Sequence, residues 1–352
     1  MRLYTILSAI PACLTLCSAL TAQEDAAAMG PAKEQAKFHQ LIGHWQGSGT
    51  VRGAAAEDAA PWTGTSVASS VLRGHFVRED TVIDLGAGAP AKIVFRTFYG
   101  YDKEAKKWMS HSVSNMGGAI STEVHWADGV MITGQAMQKM GKFVVERWST
   151  NFAADKNSYT FNSYETHDNG KPFKHVTGKF TRVKAVEASA TSGAHKGFSP
   201  TSEEMRYLAK WVGDYKMKGW MVMAPGVPKT NITASESIKS IFGGVAISFD
   251  LKGDPIPQFG SYEGWGAFLW NPELKCYQTL WVDNMGGATV ANGYRIDGKF
   301  VIGSTLVANG QPSVRSAVFH SAEDGSLAGV REHATVGASD PFHAFQASYT
   351  KK

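Results

Sequence analysis

Asn115-Met116-Gly117-Gly118-Ala119 and Asn284-Met285-Gly286-Gly287-Ala288 are the same pentapeptide, 169 residues apart. The offset holds on both sides of it. It pairs Asp128-Gly129 with Asp297-Gly298, Gly134 with Gly303, and Pro172-Phe173 with Pro341-Phe342. Farther out it pairs Phe180-Thr181 with Tyr349-Thr350, Tyr101-Asp102 with Trp270-Asn271, and Gly74 with Gly243. One spacing kept over about 100 residues marks a duplicated domain, because solenoid units repeat at far shorter periods.

The copies also begin alike, with a small change in length. Phe38 to Trp45 reads FHQLIGHW, and Met205 to Trp211 reads MRYLAKW. This alignment sets Trp45 against Trp211. Residues 184–200 between the copies are rich in Ala, Ser, Thr and Gly, without a period, which reads as a linker. The expected units are therefore residues 31–183 and 201–352.

Each unit is expected to open with a short helix. Phe38, Leu41, Ile42 and Trp45 follow the spacing of one helical face, with Pro31 suited to the first position. In the second unit Thr201 and Glu204 have the spacing of a capping box, and Met205, Leu208 and Val212 share a face. The period then changes to two. Strands are predicted at 65–72, 75–83, 92–101, 107–114, 122–127, 130–137, 142–150, 158–167 and 172–182. Asp128-Gly129 and Asp297-Gly298 are two-residue hairpin signals. Short strands without intervening helices imply an all-β chain. Nine or ten hairpin-linked strands suit a closed antiparallel barrel, because closure removes exposed edges. Such a barrel can hold one small ligand.

The N-terminus reads as an export signal. Arg2 precedes an apolar run from Leu3 to Leu20, and Thr21-Ala22 leads into polar Gln23-Glu24. A cut after Ala22 makes residues 1–22 a signal peptide and the protein periplasmic or secreted. No later stretch has the 18 or so apolar residues of a membrane span. Cys13 and Cys17 would leave with the signal, so Cys276 alone would remain and no internal disulfide could form. The 35 Lys and Arg against 31 Asp and Glu give a net charge of +4 without a basic stripe, which argues against nucleic acid as a partner.

The opening Leu41-Ile42-Gly43-His44-Trp45-Gln46-Gly47-Ser48-Gly49 resembles that of lipocalin-like, or calycin, barrels. It contains the Gly-x-Trp pattern of lipocalins and the Gly-x-Trp-x-Gly-x-Gly pattern of nitrobindin-like barrels. With Gly100-Tyr101-Asp102 and Phe180-Thr181-Arg182 in order, each copy resembles a bacterial, often exported, lipocalin-like family of unknown function. The fold this implies is two tandem lipocalin-like antiparallel β-barrels, each with a short N-terminal helix. The second copy departs from the pattern, since Ala209-Lys210-Trp211 lacks a Gly two residues before its Trp and Trp270-Asn271 replaces Tyr-Asp.

No HExxH, CxxC, EF-hand loop, nucleophile elbow or phosphate loop occurs. Neither a catalytic constellation nor a metal site is expected, apart from a remote pairing of His111 with His125. The candidate ligand contacts are Trp45, Asn115 and Arg147 in the first copy, and Trp211, Asn284 and Arg315 in the second. Each Arg follows a Val-containing strand start and, facing inward, would grip a carboxylate with its two-pronged geometry. Likeness to nitrobindin implies haem as an alternative cofactor, with His175 and His343 as ligands. His167 is matched with His333. The expected role is noncatalytic binding of a small hydrophobic or amphipathic molecule. A ligand-free structural or interaction module is the remaining alternative. The two copies are expected to be able to pack as a pseudo-dimer.

Overall fold

Period-two alternation carries through both copies. In this computed structural model it closes each copy into a ten-stranded antiparallel barrel. The structure describes residues 30–53, 59–139, 141–168, 170–185, 201–222, 225–256, 260–308 and 311–352. The expected signal peptide at 1–22 lies outside these residues, as does the linker beyond Ala185. Among the described residues no helix is long and apolar enough to cross a membrane.

Barrel 1 comprises β1 (Gly43–Val51), β2 (Ala60–Val71), β3 (Phe76–Asp84), β4 (Ile93–Asp102), β5 (Lys107–Ser114), β6 (Ala119–Ala127), β7 (Val130–Lys139), β8 (Lys142–Phe152), β9 (Ser158–His167) and β10 (Phe173–Val183). Barrel 2 comprises β11 (Gly213–Met221), β12 (Thr230–Ile241), β13 (Ala246–Gly253), β14 (Glu263–Asn271), β15 (Cys276–Asp283), β16 (Ala288–Ile296), β17 (Lys299–Ala308), β18 (Gln311–Ser321), β19 (Leu327–Val336) and β20 (Phe342–Lys351). Each strand pairs with the next, and β1 with β10 and β11 with β20 complete the cylinders. The hairpin residues behave as their chemistry requires. Asp128 and Gly129 have φ 50° and 78°, and Asp297 and Gly298 have 49° and 75°, the paired positive φ of a type I′ turn.

The openings of the copies differ from expectation. Lys33–Leu41 is a 3₁₀ helix, and only the second copy opens with an α-helix, α1 (Glu203–Ala209). Its N-cap is Ser202, whose hydroxyl accepts from the Met205 amide, rather than Thr201. The predicted helical face also ran too far, because the helix stops before Gly43 and Trp45 lies in β1. Gly43 at φ 140° and Gly213 at φ 152° turn the chain into the first strand of each barrel, a strand absent from the predicted set. A Cβ on Gly43 would run into the Arg182 guanidinium, and one on Gly213 into the Lys351 side chain.

These glycines reset the alignment of the copies. Upstream of β4 the offset is 170. The 3₁₀ turn Leu72–Gly74 corresponds to Phe242–Gly244, so Gly74 matches Gly244 and not Gly243. Trp45 therefore corresponds to Tyr215, and Trp211 to Leu41. The second copy does retain the glycine, as Gly213-Asp214-Tyr215. The bonds agree with this register. The Trp45 indole donates to the Leu41 carbonyl at 2.7 Å, and the Tyr215 hydroxyl to the Trp211 carbonyl at 2.8 Å. Arg182 lies 4.2 Å over the Trp45 ring, and the Lys351 ammonium 5.8 Å over that of Tyr215.

Helix and 3₁₀ segment each plug one barrel end. Phe38 and Leu41 are buried below barrel 1, and Met205 and Leu208 below barrel 2. The outer faces of β3–β6 and β13–β16 pack on each other. Phe76, Val94, Phe98 and Val113 meet Phe242, Trp265, Leu269 and Leu280 in one apolar cluster. The Ala119 amide donates to Gln278 at 3.1 Å, and Arg73 to the Ser261 carbonyl at 2.6 Å.

Candidate functional site

Facing is settled by the register. Phe98 packs against Trp265 of the other barrel, so its strand neighbours Thr97 and Tyr99 point into barrel 1. Cross-strand partners of inward residues also point in, which carries the assignment around the cylinder.

The floor of barrel 1 is a buried polar network on an aromatic base. Glu79 accepts from Ser66 at 2.7 Å, from Tyr99 at 3.0 Å and from Tyr159 at 3.5 Å. Burial raises the Glu79 carboxyl above the ordinary carboxylate range, against the lowering effect of these bonds. It also pushes both tyrosines well above theirs, with the Glu79 charge as the next cause. The Trp45 ring lies edge-on to Tyr159 at 4.9 Å beside this floor.

The middle layer is small and polar. Thr97 bonds Ser112 at 3.1 Å, Ser110 bonds Thr122 at 2.7 Å, and Gln135 donates to Glu146 at 2.9 Å. Trp148 and Phe161 stack at 6.0 Å on the wall. Toward the mouth, Glu165 sits between two imidazoles. It is 2.7 Å from Nε2 of His167 and 3.4 Å from Nε2 of His175. The His175 Nδ1 is 2.7 Å from the Arg52 carbonyl.

In barrel 2 the same layers are filled. The floor position of Glu79 holds Phe249, and Ser112, Thr133 and Thr150 correspond to Trp281, Ile302 and Phe319. All four barrel 2 residues have 0% exposure, whereas the three barrel 1 counterparts in the middle layer are half-buried although they face inward. Trp211 packs on Phe268, Phe300 and Phe319 at 6.3, 5.6 and 5.6 Å. Barrel 2 keeps a polar layer higher up. There the Arg315 guanidinium meets Glu332 at 3.0 Å, both fully inside.

The sequence candidates fall in different places. Trp45 and Trp211 lie at the barrel bases. Asn115 and Asn284 serve the backbone. Asn115 bonds the Val94 amide and the Lys92 carbonyl, and Asn284 bonds the Glu263 amide and the Ser261 carbonyl, at 2.7–3.1 Å. Arg315 faces inward, but its counterpart is Glu146 and not Arg147. Arg147 is exposed on the outer face, because one residue along a strand reverses the side. His175 is the bulged residue of β10 and faces the mouth, whereas His343 is exposed outside barrel 2 with its ring 4.1 Å from that of His333. His167 is inside and matches Val336; His333 matches outward Tyr164. His111 and His125 do not meet, since His111 pairs with Ser121 and is buried between the barrels. Cys276 is buried, and burial pushes its thiol up. Among the described residues no group of three or more His, Cys, Asp or Glu is arranged to hold a metal ion.

The haem expected from the nitrobindin likeness does not fit these residues. Both ring nitrogens of His175 are engaged with Glu165 and a backbone carbonyl, and His343 faces away from its barrel. Sequence reasoning passed over the inward carboxylates Glu79, Glu146 and Glu165. The signal was present in the alternation of Tyr159, Phe161, Ser163, Glu165 and His167 along β9.

The sequence profile of a family described as a protein of unknown function, DUF1579, matches residues 30–182 and 200–314. No curated protein matches the chain. Among solved structures, Rv2717c from M. tuberculosis is similar at 11% identity and TM-score 0.35, covering 44% of this chain and 99% of its own. A DUF3598-family protein of unknown function from Nostoc punctiforme is similar at 8% identity and TM-score 0.27, covering 91% of this chain and 99% of its own. These superpositions are loose and bear no functional weight.

Proposed function

The chain belongs to the DUF1579 family of proteins of unknown function, and from that premise we propose that barrel 1 binds a small amphipathic molecule while barrel 2 is its packed partner. One observation carries this reading. The layer that Trp281, Ile302 and Phe319 fill completely in barrel 2 is lined in barrel 1 by Ser112, Thr133 and Thr150, which face inward yet are half-buried. Small polar side chains in that layer leave space that the larger ones occupy. The role is binding in the manner of lipocalin-like barrels, with the two copies acting as a tethered pseudo-dimer.

The test transplants the filling. Ser112→Trp with Thr150→Phe copies the barrel 2 layer into barrel 1. Titration with the neutral fluorophore N-phenyl-1-naphthylamine should give saturable binding to the wild-type chain and none to this variant. Equal binding to both would remove barrel 1 as the site.

The reading also places the protein outside the cytoplasm, on the strength of Arg2, the Leu3 to Leu20 run and Thr21-Ala22. Intact-mass measurement of the exported protein should then give a chain beginning at Gln23.

A further inference from the structure

Glu146 and Glu165 are cross-strand partners on β8 and β9, both pointing into barrel 1. Their exposures are 5% and 2%. Like charges placed directly opposite destabilise a sheet, and a buried carboxylate without a cation is costly. Glu165 has two imidazoles beside it. Glu146 has no such relief, since its carboxylate makes one hydrogen bond among the described residues, from the neutral Gln135 amide to Oε2. Glu79 adds a third inward carboxyl at the floor. Between that floor and the Glu165–His175 mouth, no lysine or arginine faces the cavity among the described residues. The Nδ1 of His167 is buried there without a hydrogen-bond partner.

We propose that barrel 1 is selective for a small organic cation, an amine or ammonium carried on an apolar body. The inference rests on the hollow-barrel reading above and names the ligand class for it. The charged end would meet Glu146 and supply the counter-charge that no protein side chain provides. The apolar body would lie along the Trp148 and Phe161 rings, whose faces also attract cations. Barrel 2 makes the contrast at the same position. There Arg315 replaces Glu146 and is already paired with Glu332, so that barrel is neutral without a ligand.

The test is calorimetric titration of the full mature chain with phenethylamine, phenethyl alcohol and 3-phenylpropionate at pH 8, where free imidazole is neutral. The amine should bind at least about tenfold more tightly than the alcohol, and the carboxylate more weakly than either. Glu146→Gln, close in size, should bring the amine to within about threefold of the alcohol and leave alcohol binding unchanged. Arg315→Met in barrel 2 should change none of the three. Alcohol binding as tight as the amine, or carboxylate binding tighter, would overturn the cation inference and leave the hollow barrel standing. If none of the three binds and N-phenyl-1-naphthylamine also fails, the hollow-barrel reading falls and the cation inference with it. If the naphthylamine binds and the amine does not, only the cation inference falls.

Discussion

The Arg96 guanidinium lies 5.0 Å over the Trp265 ring, and these two residues occupy the same position of the repeat, 169 residues apart. They meet where the equivalent faces of the two barrels cross. Arg96 is held there by Asp80 through a two-pronged pair at 2.7 and 3.1 Å. Two copies of one surface thus contact each other, as in an isologous dimer, but with different residues on the two sides.

Trp265→Ala should separate the barrels energetically. It removes a large buried ring from the cluster shared with Phe98, a loss of about 3–5 kcal/mol. Calorimetry should show one cooperative transition in the wild-type chain and two in the variant. A single transition at the wild-type temperature would mean that the interface contributes little.

His111 should make the protein acid-sensitive. Burial lowers its pKa to about 4. The unfolded chain binds this proton near pH 6.5, whereas the folded chain binds it only near 4. Stability therefore falls as pH drops across that window, by up to about 3 kcal/mol. His111→Leu, which copies Leu280, should abolish this part of the slope in denaturant titrations between pH 7 and 4.

Glu236 should act in the opposite direction. Burial pushes its carboxyl up to about 8, against a hydrogen bond from Tyr349. Unfolded, it releases a proton near pH 4.5. The stability contributed by the neutral acid is present below that value and is lost as pH rises to 8. The loss by pH 7 is about 3 kcal/mol. Glu236→Gln should be more stable than the wild type at pH 8 and nearly equal to it at pH 4.

Arg182→Ala should open the base of barrel 1. The guanidinium donates to the Ile42, Gln40 and Lys156 carbonyls at 2.5–3.3 Å while covering Trp45. Its removal should cost about 2–4 kcal/mol by chemical denaturation. Arg182→Lys should recover part of this, because Lys351 holds the same place in barrel 2.

Much of this was legible in the chain. The repeated Asn-Met-Gly-Gly-Ala, the Asp-Gly hairpins and the period-two runs determined by themselves that there are two antiparallel barrels, because hairpin chemistry and alternation are local. The match of Trp45 with Trp211 failed because two identical side chains outweighed one glycine. Gly43 and Gly213 start the strands, and a shift of four residues moves Trp211 out of the first strand altogether. Arg147 and Arg315 were paired across a one-residue gap, which on a strand is a change of face. Only the closed tertiary structure decided which side chains share an interior. Glu146 and Glu165 are 19 residues apart in sequence, and their register across β8 and β9 makes them neighbours. The filling of one barrel and the emptiness of the other depend on the summed volumes of side chains drawn from ten strands, a quantity that no local stretch carries.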